Sequence, residues 1–404
     1  VRAYNEKISI YHGMVSIIAI NLAGNFYPIF AISILGATNY QVGLISSLPP
    51  LIALLMTIPA AILLNRLETQ KKTVAMSVLA ARLLFLLLIG VVYLPTPYQA
   101  WAFLFIIALM SVPATVSNIG WQTLISGMIK DERRGVFFSD RNRLLTIAGM
   151  ISTLVIGIIM KNQTTNATAY QWLFFTTLLF GLGEVYFLMK HKEKTKSSAS
   201  TKKSSMNWSI FKDHGYKWYL LAALCFNFTW QLSWGIFNIY HVRIAEATIL
   251  WISIFSVASQ LVQIFTFPLW KKWAEAKSNT LMLVWAALGM ALVPFLTVLS
   301  TNLYYLTGVQ AISGFFISGV VLLLFNLLLE QSPAETRTYC ITTYNVLLSF
   351  VAFIAPQIGI LLLEGLGIQK SMELNSIMRL GSAFVFLLMY SRTKKYTKAV
   401  LLKN

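Results

Sequence analysis

The chain has 404 residues, 57% apolar and only 11% charged, against roughly 25% charged in an average soluble domain. A soluble fold of this length could not hide that much apolar surface, whereas twelve spans of about 20 residues would use nearly all of it. The net charge of +18 would suit a nucleic-acid partner only if the basic residues gathered in one soluble domain, and they do not.

Apolar runs bounded by charge or turn residues fall at 12–36, 41–64, 73–94, 99–128, 144–160 and 170–189. After a polar gap they resume at 218–241, 249–270, 280–299, 303–329, 338–363 and 374–390. The runs are continuous, not alternating, which excludes a β-barrel. With the N-terminus inside, 27 of the 32 Lys and Arg lie on the cytoplasmic side. Lys161, Arg243 and Lys370 lie outside, and Arg82 and Arg379 within spans. That asymmetry sets the topology and places both termini in the cytoplasm. The gap at 190–217 is a basic, solvated linker that separates a six-span bundle over 1–189 from a second over 218–404. Cys225 and Cys340 lie in apolar runs and offer neither a disulfide framework nor metal-ligand spacing. No cofactor is expected.

The two halves carry matching fragments. Asn21 and Asn25 in the first span answer to Asn227 and Gln231 in the seventh, an offset of 206. Glu132, Arg134, Asn142 and Leu144 answer to Glu335, Arg337, Asn345 and Leu347, an offset of 203. Two matches at nearly one offset, in corresponding spans, argue for duplicated halves.

Twelve spans in a six-plus-six repeat, with a basic central loop, resemble the major facilitator superfamily over nearly the whole chain. The family's loop between spans 2 and 3 normally reads Gly-x-x-x-Asp-Arg-x-Gly-Arg-Lys. Here Asn65, Arg66, Lys71 and Lys72 keep part of it, while the glycines and the Asp are replaced. The Arg and Gly-Pro patterns of drug/proton antiporters and the sugar-porter patterns are missing. The resemblance implies an all-α integral membrane protein that works by alternating access. It also implies that spans 1, 4, 7 and 10 line a central cavity.

Amides concentrate where that implication puts the cavity. Asn21/Asn25, Asn118/Gln122 and Asn227/Gln231 are i, i+4 pairs, each on one helix face, and Trp234 and Asn238 continue the last stripe. By helical rise Asn21 and Asn227 lie about 13 Å and Asn118 about 16 Å from the cytoplasmic ends of their spans, near the midplane where transporter sites lie. Trp121, Trp230 and Trp234 add aromatic faces. Such amides also join helices to one another. Pro28 and Pro113 are expected to kink spans 1 and 4. The cavity spans contain no interior Lys, Arg, Asp or Glu, which points to a neutral or zwitterionic, partly apolar solute.

Two charges stand where hydrocarbon is expected. Arg82 in span 3 and Glu184 in span 6 sit at comparable depth and are expected to neutralise each other. Glu184, with Arg82 and His241, is the candidate for proton coupling. Residues Asn65, Arg66, Glu132, Arg134, Arg141, Glu335 and Arg337 form the expected cytoplasmic gate. The reading is a secondary transporter or facilitator of a small molecule, acting as a monomer in a bacterial cytoplasmic membrane, without nucleic acid. A proton-coupled exporter or lipid flippase on the same scaffold, and a non-transporting sensor, are the alternatives. No nucleophile–base pair or metal cluster supports an enzyme.

Overall fold

The computed structural model describes residues 2–67, 69–128, 131–192, 214–333 and 336–401. Among them there is no β-strand, and twelve helices are long and apolar enough to span a membrane. They are α1 (Tyr4–Ser33), α2 (Asn39–Leu64), α3 (Lys71–Tyr93), α4 (Thr96–Ile125), α5 (Asp140–Ile159) and α6 (Ala167–Met189). The second set is α7 (Gly215–Ile244), α8 (Ile249–Ala276), α9 (Asn279–Val298), α10 (Leu303–Glu330), α11 (Tyr339–Leu366) and α12 (Ile368–Met389). The shortest has 20 residues, and at 1.5 Å per residue that covers about 30 Å of hydrocarbon.

Local chemistry sets several helix ends. Thr38 and Gln41 form a reciprocal capping box at the start of α2, and Asn166, Ser278 and Asn302 cap α6, α9 and α10. Gly367, with φ of 78°, is the one residue between α11 and α12 and takes the left-handed conformation that lets the chain turn back at once.

Helices run past the limits that charge suggested. The first span starts at Tyr4, not residue 12, and α12 starts at Ile368, not 374. Asn375 therefore lies inside α12, not at its end, and Arg243 falls within α7, not in an outer loop. The helix that holds α5 begins at Asp131, so Asp140, Arg141 and Arg143 stand on helix and not in a loop. Charge marks where a chain leaves hydrocarbon. Helical hydrogen bonding continues beyond that point because Arg and Lys are good helix formers.

The chain divides into two compact units, Val1–Lys202 with Glu246–Ile254, and Lys203–Ala245 with Phe255–Asn404. In the first, α1 packs on α5 and α6, and α3 packs on α4 and α6. In the second, α7 packs on α11 and α12, and α9 packs on α10 and α12. The pairs are the same after a shift of six helices, as the duplicated fragments require. Apolar side chains such as Phe105, Ile159, Phe265 and Leu361 remain more than two-thirds exposed, the composition of a lipid-facing surface.

The repeat extends to the helix breaks. In α1 the ladder is interrupted at Asn25 and Phe26, just before Pro28. In α7 it is interrupted at Ser233, and no proline is present. The break in α7 has a different cause. Arg379 of α12, 1% exposed, donates to the Thr229 carbonyl at 3.4 Å and the Trp230 carbonyl at 3.0 Å. It also donates to Ser233 Oγ at 2.6 Å and the Met290 carbonyl at 2.9 Å, and Asn375 donates to Thr229 at 2.8 Å. In a continuous helix the Thr229 and Trp230 carbonyls would take the N–H groups of residues 233 and 234. A side chain inserted into the ladder is a known origin of a kink. α4, by contrast, stays one helix through Pro113. Replacing Arg379 with Met should strand these carbonyls and destabilise the protein by roughly 2–3 kcal/mol. A thermal-unfolding midpoint in detergent unchanged from the parent would disprove that account.

Candidate functional site

The first unit holds a cavity of about 440 Å³ whose polar lining comes from five helices. Arg82 of α3 donates through Nε at 3.0 Å and Nη2 at 2.8 Å to Oε2 of Glu184 on α6. Both side chains are largely buried, and pairing removes most of the cost of placing either ion in hydrocarbon. The expected direct neutralisation is thus present. Gly181, one turn before Glu184, makes room for it. A methyl there would lie 2.5–2.9 Å from the Arg82 Cβ, Cγ and Cδ.

Oε1 of Glu184 faces Nε2 of His12 on α1 at 3.8 Å, longer than a hydrogen bond. His12 is 5% exposed, and neither of its ring nitrogens has a hydrogen-bond partner among the described residues. Its ring lies nearly parallel to that of Trp121 on α4, with centroids 6.4 Å apart, and meets His191 edge-on at 5.9 Å. Burial holds the His191 imidazole, which lies outside the spans, below its ordinary pKa range. It is therefore neutral near pH 7. Arg141 on the helix that carries α5 lies over the Trp121 ring at 4.4 Å and donates through Nε to the Ser9 carbonyl at 3.3 Å. Ser16, Ser117 and Asn118 complete the polar lining, and Ile20, Val78, Ala81 and Ala114 form its apolar part.

Two guanidiniums therefore face one carboxylate. This cavity of the first unit carries fixed charge, because Arg82 and Glu184 reach it from α3 and α6, outside the four spans expected to line a central cavity, and Arg141 from the start of the fifth helix. His12 went unnoticed in the sequence. Its signal was an i, i+4 stripe with Ser16 inside an apolar run.

The remaining residues fall into separate places. Asn118 lines the cavity and accepts from Gln122 at 3.1 Å, both exposed. Asn21 and Asn25 turn to α5, where Asn25 donates to Thr153 Oγ1 at 3.3 Å and Asn21 Nδ2 rests against Gly149. In the second unit Asn227 is buried, donating to the Ala223 carbonyl at 2.8 Å and the Tyr344 hydroxyl at 3.3 Å. Gln231, also buried, donates to Asn227 Oδ1 at 3.5 Å. Trp230 meets Trp234 edge-on at 6.2 Å, and Asn238 is half-buried one turn further on. His241 is buried against Phe255 at 5.1 Å, where the commoner expectation for a His at a span end was a surface position. Of the expected gate, Arg66 and Arg337 are exposed, while Arg141 is buried in the cavity wall. Glu335 and the side chains of Asn65, Glu132 and Arg134 lie outside the described residues, as does most of the linker. No group of side chains suited to a metal ion occurs among the described residues.

Residues 13–258, more than half of the chain, match the sequence model described as the Major Facilitator Superfamily. No curated protein sequence matches the chain. Solved transporter structures share its fold at low identity. The nucleoside transporter NupG superposes with a TM-score of 0.74 at 11% identity, covering 95% of this chain and 99% of that one. A POT family transporter in complex with 5-aminolevulinic acid gives 0.73 at 9% identity, covering 96% of each chain. A bacterial homologue of the human lysosomal transporter Spinster, inward-facing and unoccupied, gives 0.68 at 11% identity, again covering 96% of each. Likeness at these identities is likeness of fold.

The site geometry can be tested through its packing. Gly181→Ala should push the Arg82 stem aside and lower stability by about 1–3 kcal/mol. Gly183→Ala, on the same helix, meets only a Val15 methyl at 3.4 Å and should be nearly silent. Equal thermal midpoints for the two variants would refute the cradle.

Proposed function

The chain belongs to the major facilitator superfamily, and from that membership as a membrane transporter we propose that it moves a small, partly apolar solute by alternating access. The solute binds in the cavity of the first unit, and the termini face the cytoplasm. The observation that carries this reading is the cavity itself. It is large enough for a small organic molecule, it sits among membrane-spanning helices, and it combines an apolar wall with a few convergent polar groups. Trp121 and Asn118 supply the contact face, and the uncompensated guanidinium favours a zwitterionic or singly anionic solute over a neutral one.

Coupling to protons is the second part of the proposal, and the geometry around Glu184 favours it over simple facilitation. Glu184 shares one oxygen with Arg82 and turns the other towards His12 across a gap that a small movement would close. A proton gained or lost by His12 would change the charge balance of a three-residue cluster that joins α1, α3 and α6. Motion of these helices and solute entry would then act on the same cluster. His241, buried and with no carboxylate within 4 Å among the described residues, is the weaker candidate.

Two experiments decide. A thermal-shift screen of the purified protein against a metabolite library identifies a solute, whose saturable uptake is then measured in proteoliposomes. Trp121→Ala should reduce that uptake at least tenfold. Uptake indifferent to Trp121→Ala would place the solute elsewhere. With the same solute, His12→Gln and Glu184→Gln should abolish stimulation by a pH gradient. Full stimulation in both variants would remove the coupling role and leave a facilitator.

A further inference from the structure

The donors and acceptors around Trp121 do not balance. Arg141 is 8% exposed and lines the cavity. Its Nε is engaged by the Ser9 carbonyl, but among the described residues its two terminal nitrogens have no acceptor and no carboxylate lies within 4 Å of it. Among the described residues the cavity has one carboxylate, Glu184, and it is committed to Arg82. Among the described residues, Trp121 Nε1 is buried without a partner, and so are both ring nitrogens of His12. Asn118 Oδ1 is already used by Gln122. The cluster thus offers several unmet donors and one unmatched positive charge.

Leaving buried donors unmet costs free energy, and an unpaired buried cation costs more. A guanidinium held by its Nε and by an aromatic face presents its remaining edge as a fixed fork, the shape that pairs with a planar two-oxygen anion. Gly13 lets α1 pack closely on this guanidinium, since a methyl there would lie 2.5 Å from Arg141 Nη2. Val78, Ala81 and Ala114 give the wall an apolar part on α3 and α4. One excess positive charge matches a monoanion, whereas a dianionic phosphate would leave the site overcharged.

The geometry points to Arg141 as the residue that holds the carboxylate of a small organic acid, with the apolar body of that acid against α3 and α4. The inference rests on the cavity of the first unit being the solute site and adds the chemical class of the solute. Arg141 would then be a binding residue and not part of a gate.

The test uses the full chain in nanodiscs and matched pairs of a carboxylate and its primary amide. The probes are acetate and acetamide, butyrate and butyramide, benzoate and benzamide, and indole-3-acetate and indole-3-acetamide. Inorganic phosphate is the control anion. Affinity is read by thermal shift and intrinsic tryptophan fluorescence. At least one acid should bind ten times or more tighter than its amide, as expected for a hydrogen-bonded charge pair. Arg141→Gln should erase the preference, and Arg141→Lys should keep part of it. Arg143→Gln, which removes the same charge from an exposed position on the same helix, should leave it intact. If Arg141→Gln does not fold, Arg141→Lys carries the test through a reduced preference. Equal responses within every pair, including no response, overturn the proposal, as does a preference that survives in Arg141→Gln. Saturable uptake of a neutral solute that needs Trp121 but ignores Arg141 would overturn this assignment and leave the transporter reading intact. Absence of saturable uptake of any library solute would instead defeat the transporter reading.

Discussion

Hydrocarbon offers no hydrogen bonds, so every polar group carried into it must find its partner on the same chain. That constraint dictates the helices themselves, because a helix satisfies its own backbone. It also decides where the few buried charges can stand. Arg82 and Arg379 are both within spans, and each meets the constraint in its own way. Arg82 meets a carboxylate across the α3–α6 contact. Arg379 has no carboxylate among the described residues and takes three carbonyls and a hydroxyl instead.

The second solution has a structural consequence. A guanidinium can be satisfied by carbonyls only if some helix gives them up. In α7 the ladder opens at Ser233, and the released carbonyls of Thr229 and Trp230 are taken by Arg379 and Asn375. The corresponding point of α1 is broken at Asn25 and Phe26. The duplicated halves therefore share a break position while using different chemistry to stabilise it: a proline just beyond the break in one, an inserted arginine in the other.

The first solution shapes the candidate site. The Arg82–Glu184 pair joins α3 to α6 in the cavity wall, and the spare oxygen of Glu184 faces His12 on α1 at 3.8 Å. Because this carboxylate is spent on Arg82, the second guanidinium, Arg141, faces the cavity and is held, among the described residues, by the Ser9 carbonyl and the face of Trp121. The charge character of the candidate site follows from Glu184 being paired with Arg82 and not with Arg141.

What the sequence determined alone was set by terms that depend on composition and order. Twelve apolar runs, the lysine and arginine asymmetry and the fragments at offsets of 203 and 206 are enough for twelve helices in two related halves. Depth along a helix is also legible, and so Arg82 and Glu184 could be matched by level before any contact was known. Azimuth was not. Asn21 and Asn118 read as equivalent members of amide pairs, yet Asn118 lines the cavity and Asn21 rests against Gly149 of α5. Asn227 and Gln231 are buried beside Tyr344. Which face of a span meets a neighbour depends on side-chain packing among several helices, and no single helix encodes it. Tertiary structure likewise brought His12 to Glu184 and turned Arg141 from the end of a span into the cavity wall. An ionic partner distant in sequence acts only after the helices between them have packed.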